Sequence, residues 1–160
     1  MKTSSVTEIK KELKHLSQDE IIDICLRLSK FKKENKELLT YLLFEESSES
    51  SYIDNVKKEV DENFATINTS SYFFIKKSVR KILRLIKKYI RYSKNIETEV
   101  ELMLYFCYKL KEMEPPMERD KALHNIYFRQ IEAVKKSISK LHEDLQYDYE
   151  RELQKIDNLY

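Results

Sequence analysis

Apolar residues recur at intervals of three and four along almost the whole chain, which is the spacing of one face of an α-helix. The pattern predicts six helices ahead of a proline pair, at about 4–15, 18–30, 33–45, 52–67, 72–93 and 96–113. The sixth has apolar residues around most of its circumference, so we expect it to be central and buried. We expect the second and third to bury Ile21, Ile22, Cys25, Leu26, Leu28, Leu38, Leu39, Leu42 and Leu43.

Polar residues with capping chemistry precede several of these helices. Ser17 and Glu20 have the spacing of a capping box, in which each side chain accepts a hydrogen bond from the backbone amide of the other residue. Ser51 with Asp54 is the predicted cap of the fourth helix, and Asn95 precedes the sixth. The sequence therefore predicts helices that begin at defined residues.

Pro115 and Pro116 end the sixth helix, because neither ring donates a backbone hydrogen bond and both disfavour helix before them. They suggest a helical bundle over 1–114 and a final segment over 117–160, within one domain overall. Residues 117–159 are predicted to form one long helix of about 60 Å, which either bends back or projects and pairs with another chain. Its apolar residues are Leu123, Tyr127, Ile131, Val134, Ile138, Leu141, Leu145, Tyr149, Leu153 and Ile156.

The chain contains no glycine, where average composition would give about eleven. Glycine provides left-handed backbone, tight hairpin turns and close approach of the backbone to a ligand. The composition therefore favours an all-α fold, an irregular bundle of six or seven helices with a long C-terminal helix. It also excludes a phosphate-binding loop, a dinucleotide-binding fingerprint and a glycine-flanked nucleophile elbow.

Cysteine use and hydropathy indicate the compartment. Cys25 and Cys107 lie among apolar neighbours, which indicates buried thiols in a reducing environment, with a disulfide as the alternative. No N-terminal run resembles a signal peptide, and the longest apolar stretch, Leu102–Tyr108, is far shorter than the about 20 residues that span a bilayer. We expect a cytoplasmic protein without a transmembrane segment.

Two stretches resemble small all-helical proteins of uncharacterised bacterial families. One is Leu13–Leu28, LKHLSQDEIIDICLRL, a leucine–serine–acid start to a short amphipathic helix. The other is Ile75–Leu110, a basic helix followed by an acidic and aromatic one. The resemblance implies an all-α bacterial protein. Because these families have no assigned function, it carries over no site residue.

Charge is most uneven in the helix over 72–93. Residues 72–94 carry nine basic and no acidic side chains, while the segments on both sides are net acidic. On a helical wheel the nine basic residues share one arc of about 140°, opposite an apolar arc. They are Lys76, Lys77, Arg80, Lys81, Arg84, Lys87, Lys88, Arg91 and Lys94.

Three interpretations of this basic arc remain open: a solvated face partly neutralised by acidic neighbours, a surface for nucleic acid or another polyanion, or a docking face for an acidic protein or an anionic membrane. The absence of tryptophan and the expected burial of the apolar arc weigh against the membrane. Tyr92, at the edge of the basic arc, is a candidate for stacking on a base. Tyr105, Tyr108 and Tyr127 are expected to pack in the core.

The last segment carries a second candidate surface. Its apolar residues keep a seven-residue repeat for about three heptads, the spacing of a coiled-coil seam. They either pack on the earlier helices or form a helix-pair dimer. The residues are Tyr127, Ile131, Val134, Ile138, Leu141 and Leu145.

The sequence gives little support for a catalytic site. Glu12 and His15 have the Glu-x-x-His spacing of di-iron bundles, but the second copy that such sites need is missing. Cys25 and Cys107 lie on apolar helix faces, where access to a substrate is blocked. We predict no catalytic residue, no metal and no cofactor.

The sequence thus favours a non-catalytic interaction or adaptor protein. Its expected partner is another protein or a second copy, as a homodimer, bound through the last helix. The alternative is binding of nucleic acid or another polyanion by the basic arc over 72–93. An enzyme with a site of unrecognised pattern is the third interpretation.

Overall fold

A computed structural model describes residues 1–157, and within them it contains helices and no strand. The all-α prediction is confirmed. A π-helical turn, Tyr41–Glu45, follows the third helix, and a 3-10 turn, Met117–Arg119, precedes the seventh. The α-helices are α1 Val6–Leu13, α2 Gln18–Phe31, α3 Lys33–Thr40, α4 Glu49–Ala65, α5 Tyr72–Ser93, α6 Ile96–Lys111, α7 Lys121–Ile138 and α8 Glu143–Asp157.

Two predicted caps are confirmed and one is wrong. The Ser17 amide donates to Glu20 Oε2 at 2.8 Å and the Glu20 amide to Ser17 Oγ at 3.3 Å, a complete capping box. Asn95 Oδ1 accepts from the Glu97 amide at 2.9 Å. The predicted cap at Ser51 is absent because α4 begins earlier, at Glu49, so that Ser51 lies inside the helix.

The chain divides into two compact units, Met1–Phe44 and the remainder from Glu45. In the first unit α2 packs on α3, and Asn35 Nδ2 donates to the Leu28 carbonyl at 2.9 Å. The predicted core of this unit is wrong: α1, α2 and α3 have no buried side chain. Three short helices enclose too little volume to bury their apolar faces, and Tyr41 is the only buried residue among 1–44.

In the second unit α6 is central, as predicted. It packs against α4, α5, α7 and α8, and its side chains Val100, Phe106, Cys107 and Leu110 are fully enclosed. Pro115 lies inside this unit rather than at a boundary between units.

The single long C-terminal helix is not confirmed. The chain turns over residues 139–142, where the Ser139 hydroxyl bonds to the Lys136 carbonyl and Gln146 Nε2 donates to the Leu141 carbonyl at 2.7 Å. These side chains supply hydrogen bonds at the break. The turn brings α8 back, so that three apolar residues of the predicted helix pack in the second unit instead of projecting. They are Tyr149, Leu153 and Ile156.

Both cysteines are thiols, so the disulfide alternative is wrong for this structure. Cys107 is fully buried, but Cys25 is only half-buried, because the unit that contains it has almost no interior. Over residues 1–157, no helix combines the length and apolar character needed to cross a bilayer.

Candidate functional site

Core packing fixes the orientation of α5. This 22-residue helix has four side chains at spacings of four, three and four that are at most 2 % exposed: Ile75, Val79, Ile82 and Ile86. Burying each stabilises the fold by about 1.5–3 kcal/mol relative to exposure. The opposite arc, which carries the cations, is therefore held toward solvent.

Seven of the nine predicted basic residues are exposed, and none of the seven has an ion-pair partner among residues 1–157. They extend over about 25 Å of helix axis, with successive turns about 5 Å apart. We call these seven residues the basic face. They are Lys77, Arg80, Lys81, Arg84, Lys87, Arg91 and Lys94.

The other two basic residues have partners at the margin of the arc. Lys76 Nζ lies 2.8 Å from Asp120 Oδ2, and this ammonium lowers the pKa of the Asp120 carboxyl below its ordinary value. Lys88 is half-buried with its ammonium 4.9 Å from the centre of the Tyr89 ring. Both lysines therefore have contacts within the structure, and the partner of Lys76 is acidic.

An open groove of about 520 Å³ lies at the N-terminal half of the basic face. Phe73, 68 % exposed, forms one part of its wall and contacts Phe74 edge-to-face at 5.4 Å between ring centres. Phe73 was not among the predicted site residues, although the helical wheel places it in the middle of the basic arc. The other lining residues are Lys76, Lys77, Arg80, Leu83 and Arg84.

Tyr92, the predicted stacking residue, is not available for that role. It is 9 % exposed and packs edge-to-face on Tyr89, because the edge of the arc lies against the bundle. Tyr127 is buried as predicted, whereas Tyr105 and Tyr108 are half-buried. Phe73, which is exposed, lies within the basic arc instead.

The predicted association residues lie mainly in the core. Tyr127, Ile131, Val134 and Ile138 are at most 3 % exposed, and α7 packs on α6. Leu141 and Leu145 are half-buried near the turn between α7 and α8. Of the two alternatives for this repeat, the structure therefore shows the intramolecular packing.

A second groove, of about 590 Å³, lies between α6 and α8. Its polar groups largely satisfy one another: Lys57 Nζ lies 2.5 Å from Glu101, and the Tyr149 hydroxyl donates to Glu97 at 3.2 Å. Burial, with the nearby Glu97 carboxylate, raises the pKa of the Tyr149 hydroxyl. Within residues 1–157 there is no cluster of three or more histidine, cysteine or acidic residues that would hold a metal ion.

Comparison with known proteins found no matching family model, curated protein or solved structure. The resemblance to bacterial helical families therefore stays a prediction. The candidate site rests on the geometry of α5 and on the chemistry of its exposed side chains.

Proposed function

We propose that this is a non-catalytic binding protein whose basic face binds the phosphate backbone of a nucleic acid. The observation that supports this is the row of seven exposed cations without a carboxylate partner among residues 1–157. This proposal adopts the alternative from the sequence, nucleic-acid binding by the basic arc over 72–93, in place of protein association through the last helix.

A polyanion compensates the charges of the basic face better than water does. Cations at successive turns of one helix repel each other, by about 0.2–0.5 kcal/mol per neighbouring pair. Double-stranded DNA carries one negative charge per about 1.7 Å of its axis, and cations that neutralise its phosphates release condensed counterions. Binding would thus relieve the repulsion and gain from ion release along the length of the basic face.

Nucleic acid is favoured over an anionic membrane because of what α5 buries. An amphipathic helix binds a bilayer by inserting its apolar side between lipids. In α5 that side is the core contact made by Ile75, Val79, Ile82 and Ile86. In addition, exposed Phe73 offers a ring on which an unpaired base can stack.

The test compares two double charge reversals in the full-length chain. Arg80→Glu with Arg84→Glu changes the basic face, while Lys136→Glu with Lys140→Glu changes two exposed lysines of the second unit by the same net charge. We expect the first pair to abolish binding to a fluorescent oligonucleotide at low salt, and the second to preserve most of it. For the unmodified chain, log affinity should fall with log salt at a slope no steeper than about −6, the limit for seven phosphate contacts on a duplex.

Two outcomes would oppose the proposal. One is absence of binding at low salt to both single-stranded and duplex oligonucleotides. The other is an equal loss for the two double reversals, since that would show only an effect of net charge.

A further inference from the structure

Exposed apolar surface is concentrated in the first 44 residues. Of the 17 large apolar side chains that are exposed among residues 1–157, 12 lie there, and the remaining 5 are spread over the second unit. A unit of this size is near the lower limit at which a domain is stable alone. With Tyr41 as its only buried side chain, it lacks an interior of its own.

Four of the six exposed apolar residues of α2 form a regular seam, while Ile22 and Leu26 are exposed on the other side of the helix. Ile21, Ile24, Leu28 and Phe31 follow one another at spacings of three, four and three, the spacing of a coiled-coil contact. Their side chains are 36 %, 38 %, 55 % and 77 % exposed, respectively. We call these four residues the α2 seam.

Charges are segregated along the axis of α2. The charged residues in the first part of α2 are all acidic: Asp19, Glu20 and Asp23. The charged residues at the end of α2 and the start of α3, up to Glu34, are all basic. They are Arg27, Lys30, Lys32 and Lys33.

We propose that the α2 seam docks antiparallel on the α2 seam of a second copy of this chain. Antiparallel pairing sets Ile21 opposite Phe31 and Ile24 opposite Leu28, and both pairs have Leu26 as their midpoint. The same register sets the acidic start of each helix beside the cationic end of the other. Parallel pairing would place like charges together, so the charge pattern selects the antiparallel, two-fold arrangement.

The exposed apolar surface of the first unit also favours a second copy as the partner. A specific interface needs about 800 Å² from each partner, which a four-residue seam alone does not provide. The same unit also exposes Val6, Ile9 and the run Leu42–Phe44. An anionic bilayer is a poorer occupant, because α2 carries three acidic residues and only two basic ones.

The first experiment measures mass by sedimentation equilibrium of the full chain up to about 1 mM, the range of weak complexes. We expect the mass to rise from 19.4 kDa toward twice that value with concentration. Leu28→Glu should leave a monomer at all concentrations, with unchanged helical content. The control is Ile96→Glu, which changes an exposed aliphatic residue of the second unit in the same way and should still dimerise.

The second experiment identifies the occupant by charge. Asp19→Lys with Asp23→Lys, and separately Lys32→Glu with Lys33→Glu, should each weaken self-association at least tenfold. Mixed together, the two variants should form a heterodimer of normal or greater affinity, because opposite charges then meet at both ends. A foreign partner or a lipid surface would not produce this rescue.

The third experiment uses the two thiols as internal probe and control. Cys25 is half-buried and one residue from the predicted midpoint, whereas Cys107 has no exposed surface. A short bifunctional maleimide should therefore give a covalent dimer that Cys25→Ser removes and Cys107→Ser retains. A monomer at the highest concentration, or a dimer that persists unchanged in Leu28→Glu, would overturn the proposal. These readouts do not depend on nucleic-acid binding, which uses α5.

Discussion

Lys76 Nζ lies 2.8 Å from Asp120 Oδ2, so one cation of α5 is held by the residue that caps α7. Asp120 Oδ1 accepts from the amides of Ala122 and Leu123 at 2.9 and 3.1 Å. One turn further along α5, Arg80 is exposed and has no carboxylate partner within residues 1–157. Lys76 therefore makes a structural contact within the second unit, whereas Arg80, one turn later, belongs to the exposed basic face.

Removing the Asp120 carboxylate should destabilise the second unit. Asp120→Ala removes the cap of α7 and the ion pair with Lys76, and we expect a loss of about 1–2 kcal/mol in the free energy of unfolding. Asp120→Asn retains the cap and should lose less than half of that. Urea unfolding followed by circular dichroism measures both. Equal losses in the two variants would show that the ion pair, and not the cap, is the stabilising contact.

The same ion pair makes part of this stability depend on pH. Lys76 lowers the pKa of folded Asp120 below the ordinary value of 3.8, so the folded state favours the charged carboxylate. That stabilisation is complete above the unfolded pKa and is lost as pH falls through the lower, folded pKa. The advantage of the unmodified chain over Asp120→Asn should therefore be constant near neutral pH and shrink on acidification below about 4. A difference that stays constant down to pH 2 would contradict the assignment.

Phe73 should matter most for single-stranded ligands. Its ring is exposed beside the cations of the groove, so Phe73→Ala should cost about 1 kcal/mol or more in binding a single strand and little with a duplex, whose bases are already stacked. Fluorescence anisotropy with matched oligonucleotides gives both affinities. The control is Phe128→Ala, which removes an exposed ring from α7. An equal effect on both ligands would point to a change in α5 rather than to stacking.

Lys94 occupies a conformation that costs a non-glycine residue free energy. It ends α5 with φ of 56°, in the left-handed region, and its amide donates to the Ile90 carbonyl at 2.9 Å. Lys94→Gly should raise the free energy of unfolding by about 1 kcal/mol, because glycine has no Cβ to strain. Lys94→Ala separates this effect from loss of charge and should give no such gain. Thermal unfolding of the two variants is the measurement.

Ile131 distinguishes a core role of α7 from an association role. It is 2 % exposed, so Ile131→Ala should cost about 2–5 kcal/mol in the free energy of unfolding. Arg129→Ala, on the exposed side of the same helix, should change stability by less than about 0.5 kcal/mol. If Ile131→Ala left stability unchanged but lowered the molecular mass in solution, α7 would be the association helix after all.

Local sequence patterns predicted the helices and two of their caps well, but they did not predict which apolar helix faces are buried. The capping box at Ser17 and the cap at Asn95 depend on side chains within three residues, and both were predictable. The apolar circumference of α6 indicated its central position. The fates of Leu28 and Ile131 were not predictable, because each lies on an apolar helix face, and only one of the two faces meets other helices.

The sequence by itself determined the all-α class, most helix bounds and the separation of nine cations from the apolar side of α5, because these follow from helical periodicity and from the absence of glycine. The tertiary structure decided which apolar faces are buried. It breaks the predicted last helix at residues 139–142, encloses the α7 repeat and leaves the α2 seam exposed. Burial depends on which helices pack together, and a single helix carries no record of its neighbours.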